Sequence, residues 1–232
     1  MVVVMIRFSV ALTVGMVAAV VFVGSATAQD HLPPTPAADK AAMYTTAIEN
    51  RTADILKLLA LEDPARSNRV QDVIVSQYRV LKARDEVLNA AFGKDNSQRA
   101  GLYQAISKPL HDRFLAKLSA ELTPEQVEKV KDKMTYGKVQ FTHEGYCAIV
   151  PGLTDQDKAK ILELLKAARE EAMDGGSAGE KSAIFQKYKE QINDYLNAHG
   201  HDVAQAYKDW NAKQELAAKA KDESAAKPPQ TP

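Results

Sequence analysis

Residues 70–88 read VQDVIVSQYRVLKARDEVL, and this stretch decides the fold class. Six of its side chains recur at alternating steps of four and three residues: Val70, Ile74, Gln77, Leu81, Arg84 and Leu88. Because an α-helix has 3.6 residues per turn, this spacing places all six on one helix face. The stretch therefore predicts a helix that packs through this face against other helices.

The same helical period continues on both sides of this stretch, from Tyr44 to Trp210. Glycines interrupt it at Gly93, Gly137 and Gly200, as expected where a helix ends. The sequence Thr123-Pro124-Glu125-Gln126 is a capping box, and we expect further helix starts at Asp63, Thr154 and Asp202. These signals predict an all-α fold, a bundle of about six or seven helices.

One segment does not follow the helical pattern. Residues 138–152 include the alternating stretch Val139-Gln140-Phe141-Thr142 and end at Pro151-Gly152. A short hairpin is one interpretation, but two isolated strands would be only marginally stable. We therefore expect an irregular loop near 138–152, with one helical turn that begins at Thr142.

The first residues have the three parts of a secretory signal peptide. Arg7 precedes an apolar run, and Ala26-Thr27-Ala28 supplies a cleavage site before Gln29. An uncleaved membrane anchor is the alternative, because the apolar run is long enough to span a bilayer. We expect a signal peptide at 1–28, a Pro-rich linker at 29–37, one helical domain at 38–215 and a disordered tail at 216–232, in a protein exported to the periplasm or the extracellular space.

Charge and cysteine content exclude some functions. Lys plus Arg and Asp plus Glu each number 30, so the chain has no net positive charge to attract nucleic acid. Cys147 is the only cysteine, which excludes an internal disulfide. Its apolar neighbours favour burial, while an intermolecular disulfide or a reactive thiol is the alternative.

Catalytic and cofactor motifs do not stand out in the sequence. It contains no His-Glu-x-x-His, no Gly-x-Ser-x-Gly and no glycine-rich phosphate loop. His199-Gly200-His201 has a spacing that could begin a metal site, but no further ligands complete it, and a helix end is the better interpretation. We expect no metal and no cofactor.

Polar side chains on the apolar face of residues 70–88 indicate a candidate site. Gln77 and Arg84 lie there, and a buried Arg84 requires a partner such as Asp174 or Glu170. An ion pair between helices that serves packing is one interpretation, and a site for a small polar ligand is the other. For the second we predict these ligand-binding residues: Tyr78, Arg84, Asp85, Tyr136, Arg169 and Asp174.

Three blocks carry a resemblance to a family of exported bacterial proteins defined as a domain of unknown function. They are the residues 122–137 (LTPEQVEKVKDKMTYG), 168–177 (AREEAMDGGS) and 187–202, and the likeness spans about residues 50–207. The resemblance implies an all-helical exported domain and assigns no catalytic residue. Some members accompany polysaccharide-utilisation systems, which implies a link to carbohydrate.

A shorter stretch, Leu122-Thr-Pro-Glu-Gln126, is similar to the Leu-Thr-x-x-Gln motif of the periplasmic Spy and CpxP chaperones, from which residues 153–157 depart. The main functional hypothesis is a non-enzymatic binding module of the cell envelope, with a protein or polysaccharide partner. The alternatives are a carbohydrate-binding accessory protein that stacks sugars on Tyr136, Tyr146 and Trp210, and a Spy/CpxP-like chaperone. An enzyme with two converging carboxylates remains a third hypothesis.

Overall fold

A computed structural model describes residues 36–93 and 97–226, and these residues form eight α-helices and no strand. In chain order the helices are α1 (Pro36–Leu59), α2 (Pro64–Phe92), α3 (Ser97–Ser119), α4 (Pro124–Met134), α5 (Lys138–Ile149), α6 (Asp155–Met173), α7 (Ala178–Ala198) and α8 (Val203–Ala226). The predicted all-α fold is confirmed, with one or two more helices than expected. The predicted signal peptide lies outside the described residues.

The helix ends follow the local chemistry predicted from the sequence. The Asp63 carboxylate accepts from the amide of Ala65 at the start of α2, and Thr123 forms a reciprocal capping box with Gln126 at α4. Thr154 caps α6, and Asp202 accepts from the amide of Gln205 in α8. These side chains satisfy amide groups that the first helical turn leaves without a partner.

Two hydrophobic clusters lie side by side. The first joins α1, α2, α4 and the end of α3, and Met173 at the end of α6 also contributes to it. The second joins α5, α6, α7 and α8 around Ile161, Leu165 and Ile192. Because α6 also packs against α4, it connects the two halves of the bundle. None of the helices within residues 36–93 and 97–226 is long and apolar enough to cross a membrane.

The expected irregular loop near 138–152 is wrong, because residues 138–149 form the helix α5. Only three residues, Thr135 to Gly137, separate α4 from α5, and Gly137 adopts a left-handed backbone with φ 64°. Val139, Thr142 and Tyr146 then share a buried face at helical spacing. Phe141, which suggested strand alternation, is 78% exposed and contributes nothing to the core.

Cys147 is exposed, so the expected burial is also wrong. Its apolar neighbours were misleading, because one helical step of about 100° turns Cys147 away from the face that buries Tyr146. Tyr146 itself is only 1% exposed and donates to Asn193 Oδ1 at 2.7 Å. Tyr146 therefore cannot serve as the sugar-stacking platform that one sequence hypothesis required.

The chain end also differs from expectation, since α8 continues to Ala226, well past residue 215. Residues 211–219 are exposed, so core packing does not hold this part of α8. Alanine and lysine are the commonest residues here, and both have high helix propensity. From about Lys221 onward the absence of apolar residues larger than alanine predicted disorder, whereas the helix α8 extends to Ala226.

Candidate functional site

Arg84 on α2 lies at the centre of a polar network between three helices. Its side chain is only 2% exposed, as the stripe of residues 70–88 predicted. The guanidinium pairs with Asp85 Oδ1 at 2.8 Å and donates to Ser107 Oγ on α3, also at 2.8 Å. It also donates to the main-chain oxygen of Asp174 at 2.6 Å. The buried charge thus has an acidic partner and two neutral acceptors.

Tyr103 on α3 completes the contacts around Arg84. The guanidinium carbon lies 4.2 Å from the Tyr103 ring centroid, close enough for a cation–π interaction. The Tyr103 hydroxyl donates to the same Asp174 oxygen at 3.0 Å. Burial raises the pKa of Tyr103 to about 12, so its hydroxyl remains protonated and donates throughout the neutral range.

Gly176 permits the close approach of the turn after α6 to α2. A Cβ atom at Gly176 would lie 1.7 Å from Asp85 Oδ2, a distance at which atoms overlap. The Gly176 amide donates to Glu180 Oε2 at 2.8 Å. Burial raises the pKa of Asp85 against the opposing effect of Arg84. Glycine is therefore required here by space, because any side chain would displace the Asp85 carboxylate.

His111 on α3 lies between the carboxylates of Glu170 in α6 and of Asp174, which follows α6. Its Nδ1 is 3.2 Å from Asp174 Oδ1, and its Nε2 is 3.8 Å from Glu170 Oε2. The hydrogen bond to Asp174 raises the pKa of His111 above its usual 6.5, against the effect of burial. Asp174 thus binds Arg84 and Tyr103 through its main chain and His111 through its side chain.

A cleft of about 830 Å³ opens above this network, between α3, α6 and α7. The lining residues on α3 recur at helical spacing from Arg99 to His111. These two residues lie roughly 18 Å apart along the helix axis. Five carboxylates line the cleft: Asp112, Glu170, Glu171, Asp174 and Glu180. Only two residues with permanent positive charge, Arg99 and Lys108, line it with them. We call this the Arg84 cleft; its volume suits a small organic ligand.

Arg169 lies in a neighbouring cluster instead of beside Arg84. It is 4% exposed, pairs with Asp132 at 2.6 Å and Glu170 at 3.1 Å, and also binds Glu128. Burial favours a lower pKa for Arg169, but the hydrogen bonds that Arg169 donates to Asp132 and Glu128 outweigh it and raise the pKa. Glu170 contacts both Arg169 and His111, so the pairing with Arg169 helps to hold the Glu170 carboxylate in the wall of the cleft.

Lys181 on α7 lies beneath the same region with 3% exposure. Its Nζ donates to the main-chain oxygens of Ala172 at 2.9 Å and Met173 at 3.4 Å, which end α6. Burial lowers the pKa of Lys181 to about 8. An ammonium group at a helix C-terminus satisfies carbonyls that have no partner within the helix.

A second cleft of about 560 Å³, which we call the Tyr136 cleft, lies between α1, α2 and the turn after α4. Tyr78 and Tyr136 both line this cleft. Tyr78 is 8% exposed, and burial raises its pKa to about 12. The six predicted site residues therefore divide: Arg84, Asp85 and Asp174 meet, Arg169 is adjacent, and Tyr78 and Tyr136 lie elsewhere.

Several residues of the Arg84 cleft were missed in the sequence analysis. Tyr103, Ser107 and His111 lie on α3. The helical pattern of α3 was recognised from its apolar residues, and these three polar side chains are not part of that apolar stripe. Their spacing of four residues is a usable signal, because it aligns three hydrogen-bonding side chains along one helix face. Lys181 and Gly176 had no comparable signal, since their roles depend on contacts between helices.

The other histidine pair has a structural role. His199 Nδ1 lies 2.7 Å from the Tyr195 main-chain oxygen, and His201 Nε2 lies 3.2 Å from Asp157 Oδ2. Gly200 between them has φ 89°, which confirms the predicted helix end. Across the described parts of the chain, no group of three or more His, Cys, Asp or Glu side chains has metal-binding geometry.

Comparison with known proteins supplies a family but no activity. No curated protein sequence matches the chain. Residues 45–216 match DUF3826, a family of proteins of unknown function, and this range contains α2 to α7 entire. Both clefts lie inside it. Because the match covers well over half of the chain, this protein belongs to the DUF3826 family.

Proposed function

We propose that this protein is an exported, non-enzymatic binding protein of the cell envelope, and that the Arg84 cleft holds a small polar ligand. The observation that carries the proposal is the buried Arg84 on α2. Its hydrogen bonds to α3 and to the turn after α6 hold these three segments together at the floor of the cleft. An ion pair needed only for packing would not require an open cleft above it. A floor that is ordered before binding lowers the entropic cost of binding a ligand.

The lining favours a neutral, hydroxyl-rich ligand such as a carbohydrate. Carboxylates outnumber permanent cations, so the cleft offers more acceptors than donors to a ligand, and hydroxyl groups can donate to them. Ala100, Ala183 and Ile184 add apolar surface that can contact the C–H groups of a sugar ring. The length of the α3 lining fits an oligosaccharide better than a single sugar. An anionic ligand would face repulsion from these carboxylates.

A matched pair of variants tests this proposal. Ala100→Trp narrows the cleft, whereas Ala105→Trp adds the same bulk at an exposed position of α3 outside the lining. Melting temperatures are measured for wild type and both variants against a panel of neutral oligosaccharides. We expect at least one oligosaccharide to stabilise wild type and Ala105→Trp but not Ala100→Trp. Equal stabilisation of all three proteins, or of none, would contradict the proposal.

His111 supports a second candidate, an enzyme that uses general acid–base catalysis. Its Nδ1 pairs with Asp174, which raises the pKa of His111, and an imidazole can both give and accept a proton. The same oligosaccharides are incubated with wild type and His111→Asn, and the products are separated by chromatography. Cleavage by wild type alone would support an enzyme, and unchanged oligosaccharides would support the binding protein.

Export is the remaining part of the proposal and rests on residues 1–28. The motif Ala26-Thr27-Ala28 after an apolar run supports cleavage before Gln29. N-terminal sequencing of the protein from a cell-envelope fraction tests this directly. We expect the sequence to begin at Gln29, and a sequence that begins at Met1 would reject cleavage.

A further inference from the structure

The Tyr136 cleft shares no lining residue with the Arg84 cleft, so the two are separate cavities. It is lined by α1, α2 and the end of α4: Arg51, Asp54, Ile55, Leu58, Tyr78, Asp132, Lys133, Tyr136 and Gly137. Leu58 is 42% exposed and Tyr136 is 46% exposed, so both large side chains are accessible to a ligand in the cleft. The cleft therefore presents an apolar surface to solvent.

The backbone of Tyr136 adopts an unfavourable conformation. Its φ is 62°, in the left-handed region that bulky residues avoid. The amide of Tyr136 donates to the Lys133 oxygen at 3.2 Å, and the amide of Gly137 donates to the Asp132 oxygen at 2.8 Å. These two bonds form a Schellman motif with Tyr136 at the position where glycine is strongly preferred. Local stability alone thus disfavours a tyrosine here.

The ring of Tyr136 does not offset this cost by burial in the core, since nearly half of the residue is exposed. A strained residue at a cleft is a reason to look for a role of its side chain in binding. A phenol ring offers a flat face to a ligand ring and a hydroxyl at its edge. Leu58 extends the apolar surface beside it.

Charge around the cleft favours an anion. The Asp132 carboxylate is paired with Arg169 at 2.6 Å, and Arg169 also pairs with Glu128 and Glu170. Arg51 and Lys133 form no ion pair with any carboxylate among the described side chains of residues 39–93 and 97–219. Asp54 is the one lining carboxylate without an ion pair among those residues. The lining cations without an ion pair number two, Arg51 and Lys133. A guanidinium group binds a carboxylate through two parallel hydrogen bonds.

We propose that the Tyr136 cleft is a second binding site, whose ligand is a small cyclic carboxylate. The ligand ring stacks on Tyr136 beside Leu58, and its carboxylate pairs with Arg51 and Lys133. A pyranose ring, as in a sugar acid, and an aromatic ring both have this chemistry. The volume of about 560 Å³ accommodates either ring. This site is independent of the ligand proposed for the Arg84 cleft.

Titration of the ¹⁵N-labelled protein with glucuronate, benzoate and their methyl esters tests the proposal by NMR. We expect at least one acid to shift the amides of Tyr136 and Gly137 and to bind at least tenfold more tightly than its ester. Glucuronate alone would identify a sugar acid, and benzoate alone an aromatic acid. An ester that binds as well as its acid, or no shift with either acid, would overturn the proposal.

Three variants separate binding from folding. Tyr136→Gly removes the ring and relieves the left-handed strain, so we expect an unchanged or higher melting temperature together with loss of binding. Arg51→Gln should weaken binding of the acid at least tenfold. Phe141→Ala, which removes an exposed ring on α5, and Ala100→Trp should leave the affinity unchanged. Retained binding or a lower melting temperature in Tyr136→Gly would overturn the proposal.

Discussion

The guanidinium of Arg84 on α2 donates to the main-chain oxygen of Asp174, ninety residues later in the chain. The Tyr103 hydroxyl donates to the same oxygen, so α2, α3 and the turn after α6 meet at one atom. A main-chain acceptor fixes the position of the backbone as well as the orientation of a side chain. The floor of the Arg84 cleft is therefore set by three segments that are distant in sequence.

Replacement of Arg84 should reveal the cost of an unpaired buried charge. Arg84→Met leaves Asp85 without its partner, and we expect a loss of about 3 kcal/mol in the free energy of unfolding. The double variant Arg84→Met/Asp85→Asn removes the remaining charge and should recover part of this loss. Urea denaturation of both proteins measures the difference. A double variant that is no more stable than Arg84→Met would show that the ion pair is unimportant.

Gly176→Ala should destabilise the protein although it adds only one methyl group. The new Cβ would lie 1.7 Å from Asp85 Oδ2, and Arg84 holds that carboxylate in place. We expect a loss of about 2 kcal/mol from this overpacking. Gly145→Ala is the control, because Gly145 lies inside α5 with open space around it and alanine favours a helix by about 1 kcal/mol. Equal effects at both glycines would exclude the close approach.

Lys181 should make stability depend on pH above neutrality. Its pKa is about 8 in the folded protein and 10.5 in an exposed lysine, so the unfolded chain holds the proton more tightly between these values. Stability therefore rises with pH across this window, because the unfolded state binds more protons. Melting temperatures of wild type should increase relative to Lys181→Met from pH 8 to 10.5. A constant difference would mean that Lys181 titrates normally.

His111 should titrate above 6.5, because its hydrogen bond to Asp174 stabilises the protonated ring. Its contribution to stability is then fully present below pH 6.5 and is lost as the pH rises through the higher folded pKa. Asp174→Asn removes the carboxylate but keeps the main-chain oxygen that Arg84 and Tyr103 bind. NMR titration of the His111 ring should give a lower pKa in this variant. An unchanged pKa would show that the Asp174 carboxylate does not raise the pKa of His111.

Helical spacing and end signals predicted most of the fold. The stripe from Val70 to Leu88 correctly placed Arg84 on a buried face, and the capping box at Thr123 correctly began α4. The helix α5 was missed because Val139 to Thr142 satisfies both a period of two and a helical face. The packing of α5 against α6 and the hydrogen bond from Tyr146 to Asn193 of α7 favour the helix, and contacts between distant segments are not visible in local sequence.

The candidate site was predictable only in part for the same reason. An arginine in an apolar stripe requires partners, and the sequence indicated Asp174 or Glu170 as the acidic partner of Arg84. The acidic partner is instead the adjacent Asp85, and Asp174 contributes its main-chain oxygen. The sequence prediction also grouped Arg169 and Tyr136 with Arg84, although Arg169 pairs with α4 and Tyr136 faces another cleft. Sequence shows that a charge is buried, whereas the choice of its partner depends on how α2, α3, α4 and α6 pack.

The Arg84 cleft is, as we propose, a binding site for a neutral, hydroxyl-rich ligand. The most direct test of this proposal is an NMR titration of the ¹⁵N-labelled protein with the oligosaccharide that most raises its melting temperature. We predict that the largest amide shifts lie along the α3 face from Arg99 to His111 and in the turn from Asp174 to Gly176. Largest shifts in α5 or α8, with the α3 face unchanged, would contradict the account.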